Sequence, residues 1–301
     1  MPDINKIQEA LRAVDTRTLA RCISWVENDL PGSDDLLKAL PASTSARVIG
    51  VTGPPGAGKS TLVNALISKL VQQQKRVAVL SVDPSSPFHY GALLGDRIRM
   101  SEHYLNPLVY IRSLASRGSL GGLNRKIIEI LQVLQSAPFD YIIIETVGVG
   151  QSEVEIAGIA DTTLVVMVPE AGDEVQTMKA GVMEIADIFI VNKADRDQAE
   201  LFVKNLQVLA HEKGGDWQIP VVKCIATRNE GLDELINAIE KHAQYLQNKP
   251  SRHYQLMAEK AWQLIQEKRM QDISKLALPQ RLQAAMQDPN FNLFRWIESV
   301  A

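Results

Sequence analysis

Residues 51–62 read VTGPPGAGKSTL, and within them Gly53, Pro54, Pro55, Gly56, Ala57, Gly58, Lys59 and Ser60 fit the spacing G-x-x-x-x-G-K-[ST]. Glycines in such a loop let backbone N–H groups converge on a phosphate, at the positive end of a helix that starts near Ser60. Lys59 is placed to reach the β- and γ-phosphates and Ser60 to ligate Mg²⁺. An apolar run, RVIGVT, precedes the loop and a helical stretch follows it, which is the context the motif needs. A glycine turn carrying a surface lysine is the bland alternative. A related group of P-loop ATPases carries a second lysine directly after the first glycine, acting across a dimer. Here that position is Pro54, which disfavours such chemistry.

Asn192, Lys193, Ala194 and Asp195 match N-K-x-D at the end of the run IFIVNKAD. Guanine presents two adjacent donors, N1–H and the N2 amino group, and one carboxylate accepts from both. Adenine would leave that carboxylate unpaired, so a site built this way discriminates by roughly 10⁴. Asp195 is that carboxylate; Lys193 lays its stem over the base and Asn192 braces the phosphate loop. Asp195 as a helix cap is the competing reading. The later stretch CIATRNEG offers Ala226 and Thr227 as further base contacts.

A triphosphate site also needs carboxylates near Mg²⁺ at strand ends beside the loop. Glu145 ends YIIIET and leads into Gly148, an E-T-x-G version of D-x-x-G whose glycine amide can sense the γ-phosphate. Asp83 ends a strand-like run before a proline, and Asp96 follows in LLGDRIRM. Asp83 reads equally as a turn-starting aspartate, and Asp96 equally as an ion-pair partner of Arg97 or Arg99.

These residues have to be held by regular elements. Strand-like runs at 47–52, 76–83, 108–111, 141–146, 162–170, 188–195 and 221–227 lack polar alternation, and helical stretches at 62–73, 123–135, 198–212 and 232–246 separate them. That pattern predicts an α/β fold with a mostly parallel sheet covered on both faces, whose ligands bind at the strands' carboxyl ends. Residues 4–28 carry a helical apolar face, broken near Asp15-Thr16, and 30–46 read as a connector with one short helical patch. After Lys249-Pro250 the strand signals stop and helices are expected, one near Pro279 and one over the aromatic end FNLFRWIESV. The expected division is a helical extension over 1–45, a nucleotide-binding domain over 46–248 and a helical arm over 249–301.

With 46% hydrophobic and 22% charged residues over 301 positions, the chain reads as an ordinary globular protein. A net charge of −3 without a local basic block argues against nucleic acid as a partner. No apolar run approaches the roughly 18 residues of a membrane span, and the start MPDINKIQEALRAV is too polar for a signal peptide, so a cytoplasmic protein with no membrane partner is expected. Cys22 and Cys224, each in an apolar periodic segment, read as buried, inert thiols.

Taken together, VTGPPGAGKSTL, SVDPSSPF, LLGDRIRM, DYIIIETVGVGQSE, PEAGDEVQTMKAG and NKAD resemble the methylmalonyl-CoA mutase-associated GTPases. These are P-loop chaperones of that cobalamin enzyme, whose bacterial members were also called arginine/ornithine transport ATPases. The resemblance runs from about Asp15 to near Ile239 and is looser beyond. It implies phosphate binding by Gly53 to Thr61, Mg²⁺ or its waters held by Ser60, Asp83, Asp96 and Glu145, and guanine bound by Asn192, Lys193 and Asp195. It also implies a homodimer to which the C-terminal arm contributes, and a switch loop at 172–179 facing the partner mutase. The competing reading is that Asp173 and Glu174 simply favour the positive start of the next helix.

Where small GTPases of the Ras type place a water-positioning glutamine, this chain has Val149, with Gln151 two residues on. Slow intrinsic GTP hydrolysis raised by the partner is expected, with Lys59, Glu145 and Arg99 as helpers and no general base assigned. A nickel or zinc insertase is the runner-up, but five scattered histidines and two distant cysteines do not form metal-storage sequence. A kinase or ATPase serving amino-acid transport is the other alternative, which Asp195 disfavours.

Overall fold

The computed structural model describes residues 3–41, 46–83, 100–115, 123–146, 155–169, 182–212, 214–270, 277–288 and 291–300. Among them seven strands form one sheet in the order β3-β2-β4-β1-β5-β6-β7, every neighbouring pair parallel. The strands are β1 (Arg47–Thr52), β2 (Val77–Asp83), β3 (Val109–Ala115), β4 (Tyr141–Glu145), β5 (Thr162–Met167), β6 (Ile188–Val191) and β7 (Val221–Lys223). The helices are α1 (Ile4–Arg12), α2 (Thr16–Glu27), α3 (Ser33–Ala39), α4 (Lys59–Gln72), α5 (Ile127–Gln135), α6 (Val182–Ile185), α7 (Ala199–Glu212), α8 (Leu232–Gln247), α9 (Pro250–Arg269), α10 (Leu278–Ala285) and α11 (Leu293–Val300).

The strands are mostly apolar because both faces are covered. Along β2, Val77 and Val79 enter a core with Leu62 and Leu66 of α4 and Leu235 of α8, while Ala78, Leu80 and Val82 enter a second core with Leu19 and Ile23 of α2 and Ile130 of α5. In β4, Tyr141 and Ile143 face the first core and Ile142 and Ile144 the second. The N-terminal helices are therefore one wall of the sheet. The break foreseen near Asp15 is real: its carboxylate accepts from the Thr18 amide at 2.9 Å and caps α2, and that bonding to Thr18 holds its pKa below the usual aspartate value.

The apolar runs overshoot the strands at their carboxyl ends. β5 stops at Met167, β6 at Val191 and β7 at Lys223, and the residues beyond are the turns that carry the site. β3 runs longer than its apolar stretch, to Ala115. It lies at the sheet edge, where Arg112 reaches out to α2, donating to Glu27 Oε2 at 2.8 Å and Ser24 Oγ at 3.0 Å.

Two compact units are distinguished, 1–252 and 253–301. In the second, none of the residues of α10 is buried, and Tyr254, Met257, Trp262, Phe294 and Ile297 are all exposed, Trp262 by 58% and Phe294 by 77%. No described helix is long and apolar enough to cross a membrane.

Candidate functional site

β1 lies between β4 and β5, where the order of strands along the chain reverses across the sheet. In an open α/β sheet that reversal opens a crevice at the carboxyl ends. Register sets what meets there: Val51 lies beside Glu145, and Thr52 beside Val165.

Residues 53–58 leave β1 and deliver the chain into α4, whose first residue is Lys59. Gly58 takes a φ of 84°, and a Cβ there would fall 2.5 Å from Asn192 Nδ2, so both backbone and space demand glycine. Pro55, Gly56 and Thr61 are exposed, whereas Pro54, Ala57, Lys59 and Ser60 are buried. The Lys59 ammonium donates to the carbonyls of Gly53, at 2.7 Å, and Pro54, at 3.0 Å. It thus lies folded over its own loop, a cation held above the concavity. The Ser60 hydroxyl donates to Glu145 Oε1 at 2.6 Å, with Glu145 only 4% exposed. A hydroxyl and a carboxylate side by side at a helix start and strand end are hard oxygen donors of the kind Mg²⁺ takes when phosphates and water complete its shell. Beside them Thr146 Oγ1 donates to Thr52 Oγ1 at 3.1 Å, locking the ends of β4 and β1 together.

The second part of the site follows β6. Asn192 is 2% exposed; its Nδ2 donates to Ala57 O at 2.9 Å and its Oδ1 accepts from the Ala226 amide at 3.2 Å. One side chain thus ties the phosphate loop to the loop after β7. Lys193 takes a left-handed φ of 55°, uncommon for a residue with a side chain, and its Nζ reaches Gly56 O at 2.8 Å. The Ala194 amide donates to Cys224 O at 3.1 Å. Asp195, Arg196, Asp197 and Gln198 line, with Pro169, a cavity of about 570 Å³. Asp195 precedes α7 by four residues, and its carboxylate pairs with Arg228 at 3.1 Å. Ala226 and Thr227 lie in the 3₁₀ turn Ala226–Arg228, Ala226 buried and Thr227 exposed.

The structure thus brings Gly53 to Thr61, Glu145, Asn192, Lys193, Asp195, Ala226 and Thr227 to one edge of the sheet. Asp83 ends β2, three strands from β5 and adjacent to β4. Its side chain, together with Asp96, Arg99, Gly148, Val149, Gln151 and 172–179, lies outside the described residues. Sequence reasoning missed Arg228; its signal was a cation directly after the Ala-Thr pair. The two cysteines are buried, and burial pushes the thiol of Cys22 up to about 11 and that of Cys224 to about 12, so neither is a nucleophile at neutral pH.

Comparison with known proteins agrees with this geometry. A protein of Pyrococcus abyssi named as a GTPase is 46% identical over 250 residues, covering 81% of this chain and 77% of its own. A mouse protein named "Methylmalonic aciduria type A homolog, mitochondrial" is 39% identical over 195 residues, 62% of this chain and 46% of its own. A crystal structure described as LAO/AO transport system kinase superposes with a TM-score of 0.68 at 27% identity, over 95% of this chain and 87% of that one. The family model for "Methylmalonyl Co-A mutase-associated GTPase MeaB" matches residues 19–278. A phosphate loop braced by Asn192, in a chain that matches that model over most of its length, makes the protein a GTPase of the MeaB family.

Proposed function

We propose that the protein binds GTP with Mg²⁺, hydrolyses it slowly, and uses the cycle to assist cobalamin loading and protection of methylmalonyl-CoA mutase. The observation that carries this reading is Asn192, which connects the phosphate loop at Ala57 to the base-side loop at Ala226, so that occupancy of either half is felt by the other. The mutase as partner is supported by the family's description and by the name of the mouse relative.

In this reading the amides of 53–58 and the start of α4 receive the phosphates, and Lys59 exchanges the carbonyls of Gly53 and Pro54 for phosphate oxygens. Ser60 and Glu145, with Asp83 and Asp96, hold Mg²⁺ or its waters. Held there, the ion would supply charge neutralisation to the phosphates. Asp195 accepts from guanine N1–H and N2–H, the Lys193 stem covers the base, and Gly148 senses the γ-phosphate. Arg99 assists, and the partner supplies what Val149 does not. The segment 172–179 is the loop that changes with nucleotide and meets the mutase, in the cytoplasm. The exposed apolar side chains of 253–301, Trp262 and Phe294 among them, suit a homodimer arm. A transport kinase would need ATP, whose adenine offers Asp195 no donor.

The test is affinity capture of methylmalonyl-CoA mutase on the purified protein loaded with a non-hydrolysable GTP analogue or with GDP. Retention that depends on which nucleotide is loaded supports the reading; no retention with either contradicts it.

A further inference from the structure

Arg228 Nη2 lies 3.1 Å from Asp195 Oδ2, on the carboxylate assigned above to guanine. A guanidinium is a planar fork of N–H donors that matches a carboxylate, and guanine's N1–H and N2–H edge is a fork of the same kind. We propose that Arg228 is a built-in mimic of guanine's donor edge: it occupies Asp195 when the nucleotide is absent, must leave for guanine to enter, and retakes the carboxylate as GDP departs. This rests on the assignment of Asp195 to the base.

Backbone and side chain divide the work. The Arg228 amide donates to Ile225 O at 2.9 Å in a 3₁₀ turn, and Asn229 closes that turn with a φ of 58°. Ile225 and Glu230 then form an antiparallel bridge across it. At Gly231, with a φ of 81°, a Cβ would fall 2.0 Å from Lys223 O, so the loop is pinned against β7. The backbone of Arg228 therefore stays put, while its side chain, 58% exposed, swings through solvent by bond rotation alone. Asp195 is 36% exposed, accessible to either donor. Ala226, whose amide is bonded to Asn192, lies two residues from Arg228 in the same turn, so the fork that yields to guanine belongs to the element that reaches the phosphate loop. Adenine has no donor pair with which to replace the guanidinium at the carboxylate, so it gains nothing in exchange for the lost ion pair.

An exposed ion pair is modest, and so is the expected competition: removing Arg228 should tighten GDP binding about two- to fivefold at low salt. The gain should shrink as salt screens the pair in the wild type. The experiment is titration of the full chain with fluorescent GDP, for wild type, Arg228→Ala and Arg228→Gln, at low and at high ionic strength. Tighter binding by both variants with a gain that fades in salt is expected. Unchanged affinity, or weaker binding that would make Arg228 a nucleotide ligand, overturns the proposal. Asp195→Asn separates this outcome from failure of the base assignment. If that variant binds GDP as the wild type does, the assignment itself fails and the mimic with it. If it turns to xanthosine diphosphate, adding Arg228→Ala should leave that new affinity unchanged, and a further gain would show that Arg228 acts elsewhere.

Discussion

The hydroxyl of Ser60 donates to Oε1 of Glu145 across 2.6 Å, joining the first turn of α4 to the last residue of β4. Both side chains are buried, and sheet register fixes Glu145 beside Val51, the residue before the last of β1. Replacing Glu145 by Gln keeps the shape and removes the charge. The expected outcome is a Mg²⁺ requirement for GTP hydrolysis raised by about 10- to 100-fold. Titrating Mg²⁺ against initial rate for Glu145→Gln and Ser60→Ala checks this, and unchanged half-saturation in both would remove the pair from the metal.

The Lys59 ammonium donates to carbonyls of its own loop, those of Gly53 and Pro54, bonds that a phosphate would take over. Lys59→Ala should lower GTP turnover by at least about a hundredfold while the thermal midpoint hardly moves. Rate and melting curve measured on one preparation test both halves; a large fall in the midpoint would make Lys59 structural.

Base choice hangs on Asp195. The wild type should prefer GDP to ADP by several orders of magnitude, and Asp195→Asn should shift preference toward xanthine nucleotides, whose C2 oxygen and N1–H suit an amide. Calorimetric affinities for the four nucleotide–protein pairs decide it, and equal wild-type affinity for ADP and GDP would contradict the assignment.

His242 in α8 is fully buried, accepting or donating at Nδ1 with Thr162 Oγ1 at 2.8 Å, with Nε2 3.5 Å from Asp187 Oδ1. Burial is the largest influence and pulls its pKa down to about 4; Asp187 opposes that pull and Arg252 reinforces it. The unfolded ring, near 6.5, binds protons that the folded ring refuses, so stability is complete above about 6.5 and is lost as pH falls toward 4. Between pH 7 and 5 this group should remove about 2 kcal/mol, a loss that His242→Gln should not show. Urea unfolding at the two pH values measures it.

Much of this was legible in the sequence because it is local. The loop 53–60 carries its chemistry in consecutive residues, and buried strands announce themselves by unbroken apolar runs such as YIIIE. That Asn192 braces the phosphate loop was legible in the N-K-x-D motif, although 135 residues separate it from its acceptor, Ala57 O. Strand ends were less legible, since Val168 is buried and apolar yet lies past the hydrogen-bonded part of β5. β3 was cut short because Arg112 and Ser113 look polar; only α2, whose Glu27 and Ser24 receive the guanidinium, explains them. Arg228 and His242 escaped notice for the same reason: their partners, Asp195 and Asp187, are 33 and 55 residues away, and no spacing rule joins them.

If the nucleotide cycle serves a mutase, steady-state GTP hydrolysis measured with and without saturating methylmalonyl-CoA mutase reads that coupling most directly. A rate that rises with mutase in the wild type, and rises less in Asp173→Lys and Lys179→Glu with their unassisted rates preserved, is the predicted result. A wild-type rate indifferent to mutase at every concentration would contradict it.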